Sequence, residues 1–494
     1  MKIRSVLYIS LIFPSFLYAA DENDTRLRLE QKLLQQNFEE QKPLLEQQKS
    51  DQMPSMVIDG EVIKVENNLA DLGHALYLAV MQKQWAAADI YLGNYLKLEG
   101  YDESLAKFAQ GALARVKGQF SEAEQYFNDA LSLQPQNTMI KLELARLLTE
   151  QYKNKEATEL FNDVKTQLAG SHDPVVNNID KTVDVYIQGL NQRDSWQGSV
   201  SLGARYSSNI NNTSEKSTTW IEYGRDANGN KIPIKQIKRN TPEAISANAL
   251  DYEFALNKRW SLQDNHGFAL KAFGFGRAFD DYKNFNEMTL SVNAGYHFQN
   301  RKNQILIAPV FEHRRFQNNS FSNAWGGRAE FMNFIGNDKA VKIEAEVKDI
   351  DNVLYPTQSG LESSAFLTFW KILPHNLTLF GGVDYVDHNS EEKYFTAYQQ
   401  EGVRFGLSKQ FSEGVNTTLF SSMRWRQYDK YNAVLNDKRD DFEQNYTFVV
   451  SVPKWKFYGL TPNFTYQYNK NKSNVDWLYS YDKHNVSVKL EHRF

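Results

Sequence analysis

Residues 341–350 read VKIEAEVKDI. Val341, Ile343, Ala345 and Val347 alternate with Lys342, Glu344, Glu346 and Lys348, and a strand sends alternate residues to opposite faces. One face of this strand is therefore apolar and the other charged. Neighbouring stretches repeat the scheme. In ALDYEFALN, Leu250, Tyr252, Phe254 and Leu256 oppose Asp251 and Glu253. In PNFTYQYNK, Phe464, Tyr466 and Tyr468 oppose Thr465 and Gln467. In the last segment, NVSVKLEHRF, Val486, Val488, Leu490 and Phe494 oppose Lys489, Glu491 and Arg493.

From about Ser195 to the end, such segments of about ten residues follow one another, separated by Asn, Asp, Gly and Lys clusters. About fourteen are counted, the first near 198–207 and the last near 483–494, which is too much sheet for one ordinary core. Eight of the nine Trp lie here, and Trp260, Trp325, Trp370 and Trp425 fall near strand ends, as in aromatic girdles at membrane interfaces. Short connections (QNRKN, GNDK, LPHN, SEG) alternate with long ones (residues 208–240, YDKYNAVLNDKRDD, KNKSNVDWLYSYD). Short turns belong in the periplasm and long loops outside. Residues 196–494 are therefore read as a transmembrane antiparallel β-barrel of about 14 strands. Its apolar faces, Ile343 among them, meet outer-membrane lipid, and its charges, including Glu344, Glu346, Arg424 and Arg426, line a lumen. The two faces cancel in any average, which accounts for a mean hydropathy of −0.58. Unpaired backbone is not tolerated in lipid, so the barrel has to close.

Upstream, residues 67–190 read as an α-helical tetratricopeptide-repeat domain with a period near 34 residues. The clearest copy is SLAKFAQGALARVKGQFSEAEQYFNDALSLQP, with Gly111, Ala123, Phe127, Ala130 and Pro135 at the small, aromatic and proline positions. The next copy carries Leu144, Ala145, Ala157 and Phe161, and the preceding one Leu76, Ala88 and Leu92. The first helix of each pair lines the concave surface. That register makes Tyr77, Phe108, Arg115, Leu142 and Arg146 the candidate client-binding face. The strands are read as burying nothing against the repeats.

Residues 21–66 are rich in Gln, Glu and Lys and read as a mobile helical tether whose periodicity stops at Pro43. Residues 1–20 read as a signal peptide: Lys2 and Arg4 precede an apolar run from Val6 to Tyr18, then Ala19 and Ala20. That run is shorter than the about 20 apolar residues a spanning helix needs.

A net charge of −4 gives no case for nucleic acid as a partner. With no cysteine, disulfides, thiolate metal sites and cysteine nucleophiles are excluded. No GxSxG, HExxH or phosphate-cradling loop is present. The pairs Glu312–His313 and Asp387–His388 are strand neighbours pointing to opposite faces, so neither makes an acid–base couple. The reading is of a chain without catalytic residues, metal or cofactor.

The order of signal, repeats and barrel resembles the Slam family, the surface lipoprotein assembly modulators. The entry strand WQGSVSLGARYSSNINNT (196–213) and the ending YDKHNVSVKLEHRF carry the same resemblance. It implies an outer-membrane translocator that delivers surface lipoproteins, or secreted haem- or metal-acquisition proteins, from periplasm to cell surface. A periplasmic chaperone would hand over the client. Phe494 would serve as the barrel insertion signal, read by the barrel assembly machinery, although His492 stands where that signal usually has an apolar residue. The alternatives are a polysaccharide exporter, which usually carries many more repeats, or a porin-like channel with a periplasmic docking domain.

Overall fold

The computed structural model describes residues 19–52, 65–170, 174–391, 393–394, 396–411, 414–433 and 435–494. The apolar run of the expected export signal lies outside them.

Three helix pairs build the repeats: α2 (Leu69–Met81) with α3 (Trp85–Tyr95), α4 (Glu103–Val116) with α5 (Phe120–Leu133), and α6 (Thr138–Glu150) with α7 (Asn154–Leu168). Each first helix starts on a capping side chain. Asn68, Asp102 and Asn137 accept hydrogen bonds from backbone amides of the first turn, satisfying donors that a helix otherwise leaves open. Close approach within a pair needs a small residue. A Cβ on Gly111 would come within 2.8 Å of the Phe127 ring. Phe127 and Phe161 are fully buried, and α8 (Pro174–Arg193) closes the stack by laying Tyr186 on Phe161 with centroids 4.8 Å apart.

The barrel strands are β1 (Trp196–Ser207), then, beyond a loop hairpin of β2 (Ser217–Arg225) and β3 (Lys231–Asn240), β4 (Ala247–Ser261), β5 (His266–Phe279), β6 (Glu287–Gln299), β7 (Asn303–Phe316), β8 (Asn319–Ile335) and β9 (Lys339–Asn352). The wall continues through β10 (Gly360–Leu373), β11 (Leu377–Ser390), β12 (Tyr398–Gln410), β13 (Asn416–Asn432), β14 (Asp437–Ser451), β15 (Leu460–Ser473) and β16 (Tyr481–Arg493). β4 to β16 run in order and β16 pairs back onto β1, closing a fourteen-stranded antiparallel barrel. Gly198 and Phe494 exchange backbone hydrogen bonds of 2.9 and 3.1 Å at the seam. Among the described residues no helix is long and apolar enough to cross a membrane.

The alternation holds in three dimensions. Lys342, Glu344 and Lys348 of β9 are buried in the interior, while Ile343 is 50% exposed on the outer wall. Leu250, Val488 and Leu490 likewise face out, and Asp251, Glu253, Lys489 and Glu491 face in. Trp370 departs from the girdle reading. It shares the inward side of β10 with Phe366 and Thr368, and its Nε1 donates to Gln31.

The largest departure is at the N-terminal side. Where the sequence suggested a mobile tether over 21–66 with helical periodicity stopping at Pro43, the structure has one 34-residue helix, α1 (Ala19–Gln52), with Pro43 inside it. Proline removes one backbone bond from a helix. The turn beyond it is held from outside, because Leu44 is buried in the core of the repeat domain. From Glu22 to Gln36, α1 lies in the lumen. The repeat domain is also seated on the barrel rim, contrary to the expectation that strands and repeats do not pack. The Asp264 amide donates to Glu156 (2.6 Å), Asn265 Nδ2 to the Gln151 carbonyl (2.6 Å), and Asn154 Nδ2 to Ser261 Oγ (3.2 Å). The Arg301 guanidinium lies over the Phe120 ring.

Candidate functional site

Among the described residues two features stand out: the lumen, occupied by α1, and a groove in the repeats.

α1 is made of strong helix formers and carries internal i,i+4 bonds, Arg26–Glu30 (2.8 Å) and Gln36–Glu40 (2.9 Å). Polar residues surround it, and the barrel wall answers them along its length. Nearest the long loops, Glu22 pairs with Arg314 of β7 at 2.5 Å, and Asp24 pairs with Arg424 of β13. At mid-height Arg28 meets Glu253 of β4 at 2.5 Å, and Glu30 meets Arg328 and Lys342 at 2.9 and 3.0 Å. Lower down Lys32 pairs with Glu491 of β16, Gln35 donates to Ser408 (2.8 Å), and Gln36 donates to the Phe494 carbonyl (3.2 Å). Leaving the barrel, Gln197 donates to Glu40 and Arg193 of α8 to Gln41. The apolar contacts inside are few: Leu29 and Leu33 against Ala255, Phe273 and Phe275.

Glu30, Glu330 and Glu344 bring carboxylate oxygens within 4.8 Å of one another, a spacing a cation accepts. Arg328 and Lys342 stand among them and supply the positive charge. The inward charges singled out from sequence are ion-paired: Glu344 with Arg328, Glu346 with Lys348, Arg424 with Asp384 and Arg426 with Glu443.

The five candidate residues of the repeat face separate. Tyr77, 38% exposed, and Phe108 share one groove, with Tyr77 on its lip. Phe108 is only 3% exposed and packs tilted on Phe127, so it is floor and core rather than a free contact. Leu142, 1% exposed, lies in the core, which corrects its reading as a surface residue. The helix face that carries it turns toward the neighbouring pair. Arg115 and Arg146 lie elsewhere, converging on Glu143. Arg115 Nη1 and Arg146 Nη1 each reach a Glu143 oxygen at 2.6 Å, and Arg115 Nη2 reaches Glu150 at 2.6 Å. Burial alone would lower the Arg115 pKa and raise that of Glu143. Their opposite charges outweigh it, raising Arg115 and holding Glu143 below the usual carboxylate range. This cluster is an ion-pair network internal to the repeat domain.

The groove has a volume of about 210 Å³, and Leu105, Met139, Ile140 and Asn137 also line it. Sequence reasoning missed these four. Asn137 is itself a capping residue, and Leu105, Met139 and Ile140 follow the caps Asp102 and Asn137, so the starts of α4 and α6 were the signal available.

A closed barrel with a charged interior and apolar outer wall, carrying helical repeats on one rim, defines an outer-membrane protein with an N-terminal tetratricopeptide-repeat domain. The family described as surface lipoprotein assembly modifier matches residues 196–494, and the family of its N-terminal TPR repeats matches residues 60–161. The chain belongs to the surface lipoprotein assembly modifier family. It is 53% identical over 498 residues to the hemophilin secretion modulator of Acinetobacter baumannii, covering 100% of both chains. It is 25% identical over 447 residues to surface lipoprotein assembly modifier 1 of Neisseria meningitidis serogroup B, covering 88% of this chain and 85% of that one. The match to surface lipoprotein assembly modifier 1 of Haemophilus influenzae is 24% identical and covers 84% and 83%.

Proposed function

We propose that this protein moves client proteins from the periplasm to the cell surface, with surface lipoproteins or secreted haem-acquisition proteins as the client class. The observation that carries this reading is a repeat domain with a groove of its own, seated on the rim of a polar-walled barrel. The names of the relatives, a hemophilin secretion modulator and surface lipoprotein assembly modifiers, support the client class. In this reading the repeats face the periplasm and the β2–β3 hairpin faces outside. The groove around Tyr77 takes the client, delivered by a chaperone. Phe494, at the closing seam, is what the barrel assembly machinery reads. No nucleotide-binding motif is present, so binding and folding of the client outside supply the free energy.

The test compares surface-exposed and secreted proteins of parent and deletion strains, with restoration from a plasmid. At least one lipoprotein or haem-binding protein should leave the surface fraction and accumulate in the periplasm. Identical surface and secreted profiles would end this reading, and loss of small-solute uptake alone would favour a porin-like channel.

A further inference from the structure

We propose that α1 is a removable plug: the lumen is the client's route, and α1 leaves it toward the repeat domain to open the way. The route rests on the translocation reading above; the plug stands on the geometry alone.

Three observations carry it. First, α1 obstructs the lumen. A helix with its side chains is about 10–12 Å across. A gap beside it, lined by Asp24, Arg28, Asp251, Glu253 and Lys489, has a volume of about 30 Å³, room for a water or two and not the bore of a channel.

Second, the wall does not depend on α1 for its charge balance. Removing one partner of a buried ion pair is costly because it strands the other. Here most wall groups holding α1 have a second partner within the wall. Glu253 keeps Lys489 at 2.7 Å, Glu491 keeps Arg493 at 2.5 Å, and Arg424 keeps Asp384 at 3.0 Å. Arg328 keeps Glu330 at 2.7 Å, and Lys342 keeps Glu330 at 3.1 Å. Water entering the emptied lumen replaces what α1 supplied. The helix is polar around most of its circumference, and on leaving it gives up the apolar contacts of Leu29 and Leu33 while its charged side chains are solvated by water.

Third, the two ends of α1 are held differently. Within the barrel the contacts are mostly polar. Below it, Leu44 is set into the repeat core against Gly189 of α8, and Gln41 is bonded to Arg193. Motion of α8 therefore pulls on α1, and withdrawal toward the repeats spares the apolar anchor while exchanging the polar contacts for water.

The test uses the full chain, which has no native cysteine. Gln35→Cys with Ser408→Cys places thiols on α1 and β12 where the native side chains touch at 2.8 Å. A cleavable bis-maleimide applied to cells then locks α1 in place. The readout is the protein whose surface level the deletion strain loses. Locking should abolish its surface delivery, cleaving the linker should restore it, and each single-cysteine variant should behave as parent. Because the same molecules are read locked and released, misfolding cannot imitate the result. Separately, potassium chloride conductance is recorded in planar bilayers. The parent and the locked protein should be closed. Arg28→Glu with Lys32→Glu, which sets acids against Glu253 and Glu491, should conduct steadily. Delivery by the locked chain at the released level overturns the route. A steadily open parent, or a folded charge-reversed variant that stays closed, overturns the plug. If the deletion strain loses no surface protein, the translocation reading fails and the conductance records alone judge the plug.

Discussion

Gly189 of α8 lies against Leu44 of α1 so closely that a Cβ there would come within 2.9 Å of Leu44 Cδ2. This contact fastens the lumen helix to the repeat domain. Gly189→Leu should cost about 1–3 kcal/mol through overpacking and detach the lower end of α1. Limited proteolysis should then cut around residues 40–48 where the parent resists, with the barrel still heat-modifiable on gels. Unchanged cleavage would mean that the fastening lies elsewhere, at Arg193 and Gln41.

Ile343 sits on the outer wall of β9 between Lys342 and Glu344, which face the lumen. Ile343→Arg should cost about 2–4 kcal/mol if its level is the bilayer midplane. Denaturant unfolding in lipid vesicles gives the difference, and parental stability would place that face away from lipid.

Asn228 lies at the exposed tip between β2 and β3, and Asn337 in the tight turn between β8 and β9 on the opposite rim. An epitope tag at Asn228 should be labelled on intact cells. One at Asn337 should be labelled only after the outer membrane is permeabilised. The reverse pattern would invert the topology.

The alternation of β9, β4, β15 and β16 was legible because lipid and lumen impose opposite demands on neighbouring residues. Trp370 was misread since proximity to a strand end was weighed above parity, and parity places it inward with Phe366 and Thr368. The site was less legible. A mostly polar helix with scattered leucines has the composition of a solvated tether, and nothing local in residues 21–46 names the lumen as its surroundings. The partners of Asp24, Arg28, Glu30 and Lys32 are scattered over β13, β4, β8, β9 and β16, a relation that only the closed barrel creates. In the repeats, the register found the helices but not which side of each was free, so Leu142 and Phe108 were taken for surface.

Glu143 makes the repeat domain sensitive to acid. Its buried carboxyl is held below the usual range by Arg146 and Arg115. A depressed folded pKa contributes stability that is complete above the unfolded value and lost as pH falls through the folded one. Glu143→Gln should therefore cost about 1–3 kcal/mol at neutral pH and progressively less in acid. Helical circular dichroism across a pH series reads this, and a difference that does not shrink in acid would count against the network.

Tyr77 and Met139 line the repeat groove without being fully buried. Tyr77→Ala with Met139→Ala should lower client delivery while barrel abundance is unchanged. Phe108→Ala, at a core position, should instead cost about 3–5 kcal/mol and destabilise the domain itself. If the double variant delivers client normally, capture happens outside this groove.

Lys32 and Glu491 are 459 residues apart in sequence, and Gln36 reaches the backbone carbonyl of the last residue. The seat for α1 is thus finished by β16, the strand that closes the barrel onto β1, although α1 precedes every barrel strand in the chain. Contacts this distant form late, because the chain between them must first be ordered. A helix whose contacts at Lys32 and Gln36 exist only with β16 in place is fully seated only when β16 has joined β1. Truncation anywhere in the last strand would then leave both an open seam and an unseated helix, and a quality-control protease would have two exposed elements to recognise.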